Sequence, residues 1–142
     1  MEPVRVFSID DSGVVRSVIS RIVETSGHCT LLGTAADVDS ARDRIAALQP
    51  DVVTLDLSLP GYDGMEYLDE LGCTVHPAIV VVSAVTSPGS PETLRALAHG
   101  ADACFDKGRI VADAELFVRT LVITGRRRRE MKVAPPRRAL RA

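Results

Sequence analysis

The sequence predicts a doubly wound α/β fold, a five-stranded parallel sheet with helices on both faces. Two observations predict it. Five short apolar runs alternate with five stretches of helical periodicity, the pattern of parallel strands joined by crossover helices. Four of those runs end on polar residues: Asp10-Asp11, Asp56, Ser83 and Lys107. Open α/β sheets gather their reactive groups at the carboxyl ends of the strands.

Each element has its own signals. Val4 to Ile9 reads as a strand, and Ser12 as the N-cap of a helix to about Thr25. Val14, Val15, Val18, Ile19, Ile22 and Val23 recur at helical spacing, and Gly27 supplies the stop. His28 to Ala35 is the second strand. Asp37 or Asp39 opens the second helix, with Val38, Ala41, Ile45 and Leu48 on one face, and Pro50 closes it. Val52, Val53 and Leu55 form a buried strand leading to Asp56, after which Pro60, Gly61 and Gly64 turn the chain. Met65, Leu68 and Leu71 line the inner side of a short third helix. Ala78 to Ser83 is the fourth strand. Ser90 caps a fourth helix with Pro91 at its first position, and Leu94, Leu97 and Ala98 are expected to face the core. Ala101 to Asp106 is the fifth strand, and the last helix is expected from about Asp113 to Thr124.

Composition narrows the classes. Hydrophobic residues make up 46% and charged residues 25% of 142 residues, the balance of one water-soluble domain. No apolar run reaches membrane-spanning length, so membrane insertion is not expected. The amino terminus lacks signal-peptide character, and Cys29, Cys73 and Cys104 form no metal-binding or paired motif, which together suggest a reduced, cytoplasmic protein. The net charge of −2 is unevenly divided: residues 126–142 hold eight Lys/Arg against one Glu, the first 125 nine against eighteen Asp/Glu. We read residues 1–125 as the domain and 126–142 as a basic, disordered tail. With no helix-turn-helix, zinc motif or stacking platform, the tail is read as a solvated extension rather than a nucleic-acid contact.

The strand-end residues suit one chemistry. Three clustered carboxylates repel unless a cation neutralises them, and hard oxygen ligands suit Mg²⁺. A hydroxyl and an ammonium opposite them could take the oxygens of a phosphoryl group, leaving one carboxylate as nucleophile.

The chain resembles the response-regulator receiver domains of two-component signalling, stand-alone type, over residues 4 to about 124. The resemblance rests on Ile9-Asp10-Asp11, on Leu55 to Gly64 around Asp56, on Val82-Ser83-Ala84, and on Gly100-Ala101-Asp102 leading to Asp106-Lys107. It implies a flavodoxin-like strand order of 2-1-3-4-5. It further implies that Asp56 is the phosphoacceptor for a phosphohistidine on a sensor histidine kinase or phosphotransfer protein. Asp10, Asp11, Asp56 and the backbone carbonyl of Ser58 would hold Mg²⁺, while Ser83 and Lys107 would bind phosphoryl oxygens. The outcome would be a changed affinity for an output protein, or a phosphorylation-dependent homodimer to which Arg95, His99 and Arg119 contribute. On this reading the protein is a phosphoacceptor, not a turnover enzyme, though it promotes its own phosphorylation and dephosphorylation.

Three positions depart from the family pattern. Cys104 stands where an aromatic switch residue is usual, with Phe105 expected to point the other way. Gly108 replaces the proline that commonly follows the lysine, so a more mobile loop is expected. Ser58 and Val85 occupy the variable positions flanking the hydrolytic water. The alternatives are an unphosphorylated interaction module and an aspartyl-phosphate hydrolase of the haloacid dehalogenase type, whose second aspartate is here Ser58. Methylesterase activity would need a GxSxG elbow, which this sequence lacks.

Overall fold

A computed structural model describes residues 2–59, 64–71, 76–84 and 89–133. The expected turn at Pro60-Gly61, Cys73, Val85 and the chain beyond Val133 lie outside these residues. The element order is β1 (Val4–Ile9), α1 (Gly13–Thr25), β2 (Cys29–Ala35), α2 (Val38–Leu48), β3 (Val52–Leu55), α3 (Gly64–Leu71), β4 (Ala78–Ser83), α4 (Pro91–Ala98), β5 (Ala103–Asp106) and α5 (Ala114–Val133). A single 3-10 turn, Lys107–Arg109, joins β5 to α5. All strand pairs are parallel and the order is β2-β1-β3-β4-β5, the doubly wound arrangement expected.

The local signals act through identifiable hydrogen bonds. Ser12 Oγ accepts from Val15 N at 3.2 Å, Asp37 Oδ1 from Ser40 N at 2.7 Å, and Ser90 Oγ from Thr93 N at 3.2 Å. Each satisfies a donor left unpaired in a first helical turn. Asp37 rather than Asp39 is therefore the cap of α2, and Gln49 ends that helix in a left-handed conformation just before Pro50.

Strand alternation sorts the core onto two faces. Phe7, Ile9, Val53, Leu55, Ile79 and Val81 pack with α2 and α3 residues such as Ile45, Tyr67 and Leu68. Val4, Val6, Val52, Val80, Val82 and Phe105 pack with Ile19 and Val23 of α1 and Phe117 and Leu121 of α5. Cys104 belongs to the first face and Phe105 to the second, where its ring meets Phe117 edge-on at 5.1 Å. The predicted divergence of these two side chains holds.

Two helices depart from expectation. In α4 the buried residues are Thr93 and Ala96, whereas Leu94 and Leu97 are 59% and 44% exposed and Ala98 is exposed. Small side chains let the helix sit close to β5, and the two leucines fall on its flanks. The last helix does not stop near Thr124 but continues to Val133, so its basic run is helical. Arg128 pairs with Asp102 at 2.8 Å, and Arg129 pairs with Asp51 and donates to the Pro3 carbonyl at 2.9 Å. Asp51 also accepts from Arg5 N at 2.9 Å, and Asp102 from Ile79 N at 2.8 Å. The start of the basic segment thus clamps the amino-end rim of the sheet. Fully buried Phe117 and Leu121 dock α5, at about 1.5–3 kcal/mol each; a partly exposed ion pair contributes about 1 kcal/mol or less.

Gly125 sets how closely α5 approaches β1. A Cβ there would lie 2.5 Å from Val4 Cγ1, in a side chain with no room to yield. Gly125→Ala is therefore expected to destabilise by about 1–3 kcal/mol in urea unfolding despite its better helix propensity. In the same assay Arg129→Ala should cost about 1 kcal/mol, because it strips a partner from nearly buried Asp51, while exposed Arg127→Ala should be close to neutral.

Candidate functional site

The site grows from strand alternation carried one step past the strand ends. On β1, Val4, Val6, Ser8 and Asp10 share a side; on β3, Val52, Thr54 and Asp56 share the same side. Beneath the two acids, Thr54 Oγ1 donates to Ser8 Oγ at 2.8 Å, tying the strands by a buried hydroxyl pair that sequence reasoning missed. Two isolated hydroxyls in apolar runs, each two residues before a strand-end acid, were the available signal.

Asp10 and Asp56 are 1% and 2% exposed. Asp10 Oδ1 accepts from Ser12 N and Asp56 Oδ1 from Ser58 N, both at 2.9 Å. Each carboxylate is thereby held by the backbone of its own following turn, and its second oxygen faces the gap between the two acids. Gly64 lets the loop after Asp56 lie close to α3, since a Cβ there would meet Leu57 Cδ2 at 2.8 Å. Into the gap reaches Lys107, whose Nζ stands 3.0 Å from both Asp10 Oδ2 and Asp56 Oδ2. With Asp56 the contact is a hydrogen bond. With Asp10 it is an ionic approach outside hydrogen-bond geometry, leaving the buried Oδ2 without a hydrogen-bond partner.

Exposed Asp11 completes a cluster in which one carboxylate oxygen from each of Asp10, Asp11 and Asp56 lies within 4.8 Å of the others. This donor set fits a hard divalent cation: oxygens only, a buried acceptor lacking a hydrogen bond, and an open side at Asp11 for water. Burial raises the Asp56 pKa, and the neighbouring Asp10 charge adds to it; the Ser58 N–H and Lys107 oppose the rise without cancelling it. For Lys107, burial works against the charge, but the two carboxylates together outweigh it and raise the pKa. Lys107 is therefore an ammonium throughout the physiological range.

Among the other expected residues, Ser83 ends β4, between β3 and β5, and is 1% exposed. Cys104 lies one strand position away from the acids' side, its Sγ 3.9 Å from the Thr93 carbonyl of α4. The loop after Lys107 is an ordered turn: Gly108 N donates to Asp106 Oδ1 at 2.9 Å, a bond that proline could not make. Arg95 and Arg119 are exposed and His99 is partly so. His99 Nδ1 meets Asp69 Oδ1 of α3 at 2.6 Å, while Arg119 lines a groove between α1 and α5. Among the described residues, no helix is long and apolar enough to cross a membrane.

Comparison with known proteins places this geometry. A protein-glutamate methylesterase/protein-glutamine glutaminase of Shewanella oneidensis is 39% identical over 98 residues, covering 69% of this chain and 28% of that protein. The corresponding protein of Burkholderia thailandensis is 39% identical over 113 residues, covering 80% and 32%. The chain thus spans about a third or less of the length of these relatives. Among solved structures, the response regulator domain of Thermotoga maritima CheB superposes with a TM-score of 0.75 at 25% identity, covering 85% of this chain and 97% of that one. A chain of the complex between the P1 domain of CheA3 and CheY6 from R. sphaeroides gives 0.72 at 30% identity, covering 87% of this chain and 99% of that one. The family description "response regulator receiver domain" matches residues 6–120, from β1 into α5 and across every strand end described above, and the chain belongs to that family.

Proposed function

We propose that the protein is a phosphorylation-dependent switch that accepts a phosphoryl group on Asp56 and signals by a changed affinity for a partner. The observation that carries this reading is Lys107 Nζ, held 3.0 Å from carboxylate oxygens of both Asp10 and Asp56 within the acidic cluster. The donor would be a phosphohistidine on a sensor histidine kinase or phosphotransfer protein, met in the cytoplasm. Asp10, Asp11, Asp56 and the Ser58 carbonyl would hold Mg²⁺, which when bound supplies charge neutralisation for the incoming phosphoryl oxygens.

The chain's own residues account for the rest. A carboxylate oxygen of Asp56 forms the new O–P bond as the P–N bond to the donor imidazole breaks, and the electron pair leaves on the imidazole nitrogen. The Ser58 N–H and Lys107 hold the carboxylate in place for this in-line transfer. Lys107 then pairs with a phosphoryl oxygen instead of the carboxylate, and Ser83 offers its hydroxyl to another. The burial of Asp56 limits access of water to the acyl phosphate, whose hydrolysis resets the switch.

Incubation with Mg²⁺ and a small-molecule phosphodonor, read by intact mass, tests the reading. One phosphoryl adduct is expected on the wild type and none on Asp56→Asn; an equal adduct on that variant would overturn the assignment. Lys107→Ala should slow adduct formation by about 10²-fold or more, the usual loss on removing one preorganised charged donor.

The raised Asp56 pKa adds a pH signature. Folded Asp56 holds its proton more tightly than unfolded Asp56. Its contribution to stability is therefore present below the unfolded value and lost as pH rises through the native one. At pH 7 without Mg²⁺, Asp56→Asn should melt a few degrees above the wild type, with the gap closing towards about pH 4. Added Mg²⁺ should raise the Tm of the wild type more than that of the variant.

A further inference from the structure

We propose that the groove between α1 and α5 docks an acidic amphipathic segment of a partner protein, its carboxylates meeting Arg119 and Arg126. The groove encloses about 580 Å³. Its apolar wall is formed by half-buried Ile22 of α1 with Val118 and Val122 of α5. Along α5 the lining runs from Ala114 to Arg126, about 18 Å at the rise of a helix. That length suits three turns of an incoming helix better than a compact small molecule.

Charge decides which segment. Arg119 is exposed, and neither it nor Arg126 makes a hydrogen bond or ion pair with any described residue. The contrast lies within one helix: Arg128 and Arg129, just beyond Arg126, are both ion-paired. Arg126 is partly buried in the wall, and no hydrogen bond from its buried Nε fixes the guanidinium elsewhere. A guanidinium without an internal partner can form charge-assisted hydrogen bonds with an incoming carboxylate without first breaking one within the protein. Arg119 and Arg126 are seven residues apart, two turns on the same face, so carboxylates at i and i+7 of a docked helix could meet both. Glu115, one turn before Arg119, gives the groove a direction: the acids belong between Arg119 and Arg126. The proposal makes no use of Asp56 and goes beyond the phosphoacceptor reading.

Two synthetic amphipathic helical peptides test it, identical in their leucine stripe and differing only in carrying Glu or Gln at the flanking positions. Each is titrated into ¹⁵N-labelled full-length protein and followed by amide chemical shifts. The Glu peptide is expected to perturb Ile22, Val118, Val122 and Arg126, with binding weakened by raised salt. Arg119→Glu, a change at an exposed position that should not disturb the fold, should weaken binding about tenfold and shift preference to a Lys-bearing peptide; Arg119→Lys should largely retain it. Equal binding of the Gln peptide, perturbations outside the groove, or none at millimolar Glu peptide would each overturn the proposal.

Discussion

The ammonium of Lys107 between the carboxylates of Asp10 and Asp56 is the contact on which the rest of the rim depends. Two acids that are each almost wholly buried, with a third beside them, form an arrangement that electrostatics opposes. One lysine cancels one charge, leaving three carboxylates and one ammonium with a net charge of about −2. Each further feature eases that excess: backbone N–H groups donating to Asp10 and Asp56, the raised Asp56 pKa, and an open side towards Asp11. The residual charge matches one divalent cation, so the cluster that destabilises the bare rim has the charge and donor set suited to what would relieve it.

The sheet order explains why a lysine occupies this place. Asp10 and Asp56 end neighbouring strands β1 and β3, but Lys107 follows β5, and β4 lies between. At the usual spacing β5 is roughly 10 Å from β3. Only a long side chain crosses the end of β4, and β4 ends in Ser83, a residue small enough to be crossed. Placement at the start of the 3-10 turn then aims the chain. Asp106 fixes that turn through the Gly108 N–H, and buried Ile110 anchors its far end. The rigidity usually expected of proline is thus supplied here by a carboxylate and an amide, the opposite of the looseness that glycine suggests in isolation.

Residues dominated by one local rule were legible in the sequence. The caps Ser12 and Ser90, the β-branched strands and the polar strand ends all follow from spacing, because backbone geometry repeats every two or 3.6 residues. Residues whose setting is decided by a distant neighbour were not. Leu94 and Leu97 were assigned to the core because leucine at helical spacing is normally inward; α4 instead docks through Thr93 and Ala96. Arg128 and Arg129 looked like the start of a solvated tail because their partners, Asp102 and Asp51, stand 26 and 78 residues away. Like charges in a row discourage an isolated helix, and only the fold shows that two of them are neutralised on the sheet. Arg119 was read as solvent-facing and is exposed, but that it borders a groove against α1 depends on how α5 packs and was not legible.

The same contrast constrains how the rim can act at a distance. On the side of β5 that faces α4, the residue beneath Asp106 is Cys104, so no ring there can rotate between inward and outward positions. The aromatic neighbour, Phe105, is on the other face, buried against Phe117. Among the described residues, the contacts between β5 and α4 on this side include a thiol near the Thr93 carbonyl, with Ala96 packed into the same core. Contacts between small groups transmit displacement rather than a rotamer change: a shift of β5 moves the first turn of α4 as a unit. The hydrogen bond of His99 with Asp69 holds the opposite end of that helix to α3. Among the described residues, this short helix is thus docked through Thr93 and Ala96 and a partly exposed hydrogen bond, with Leu94 and Leu97 on its flanks. A helix docked through small side chains is one that a few kcal/mol from a new charged contact at the rim would suffice to reorient.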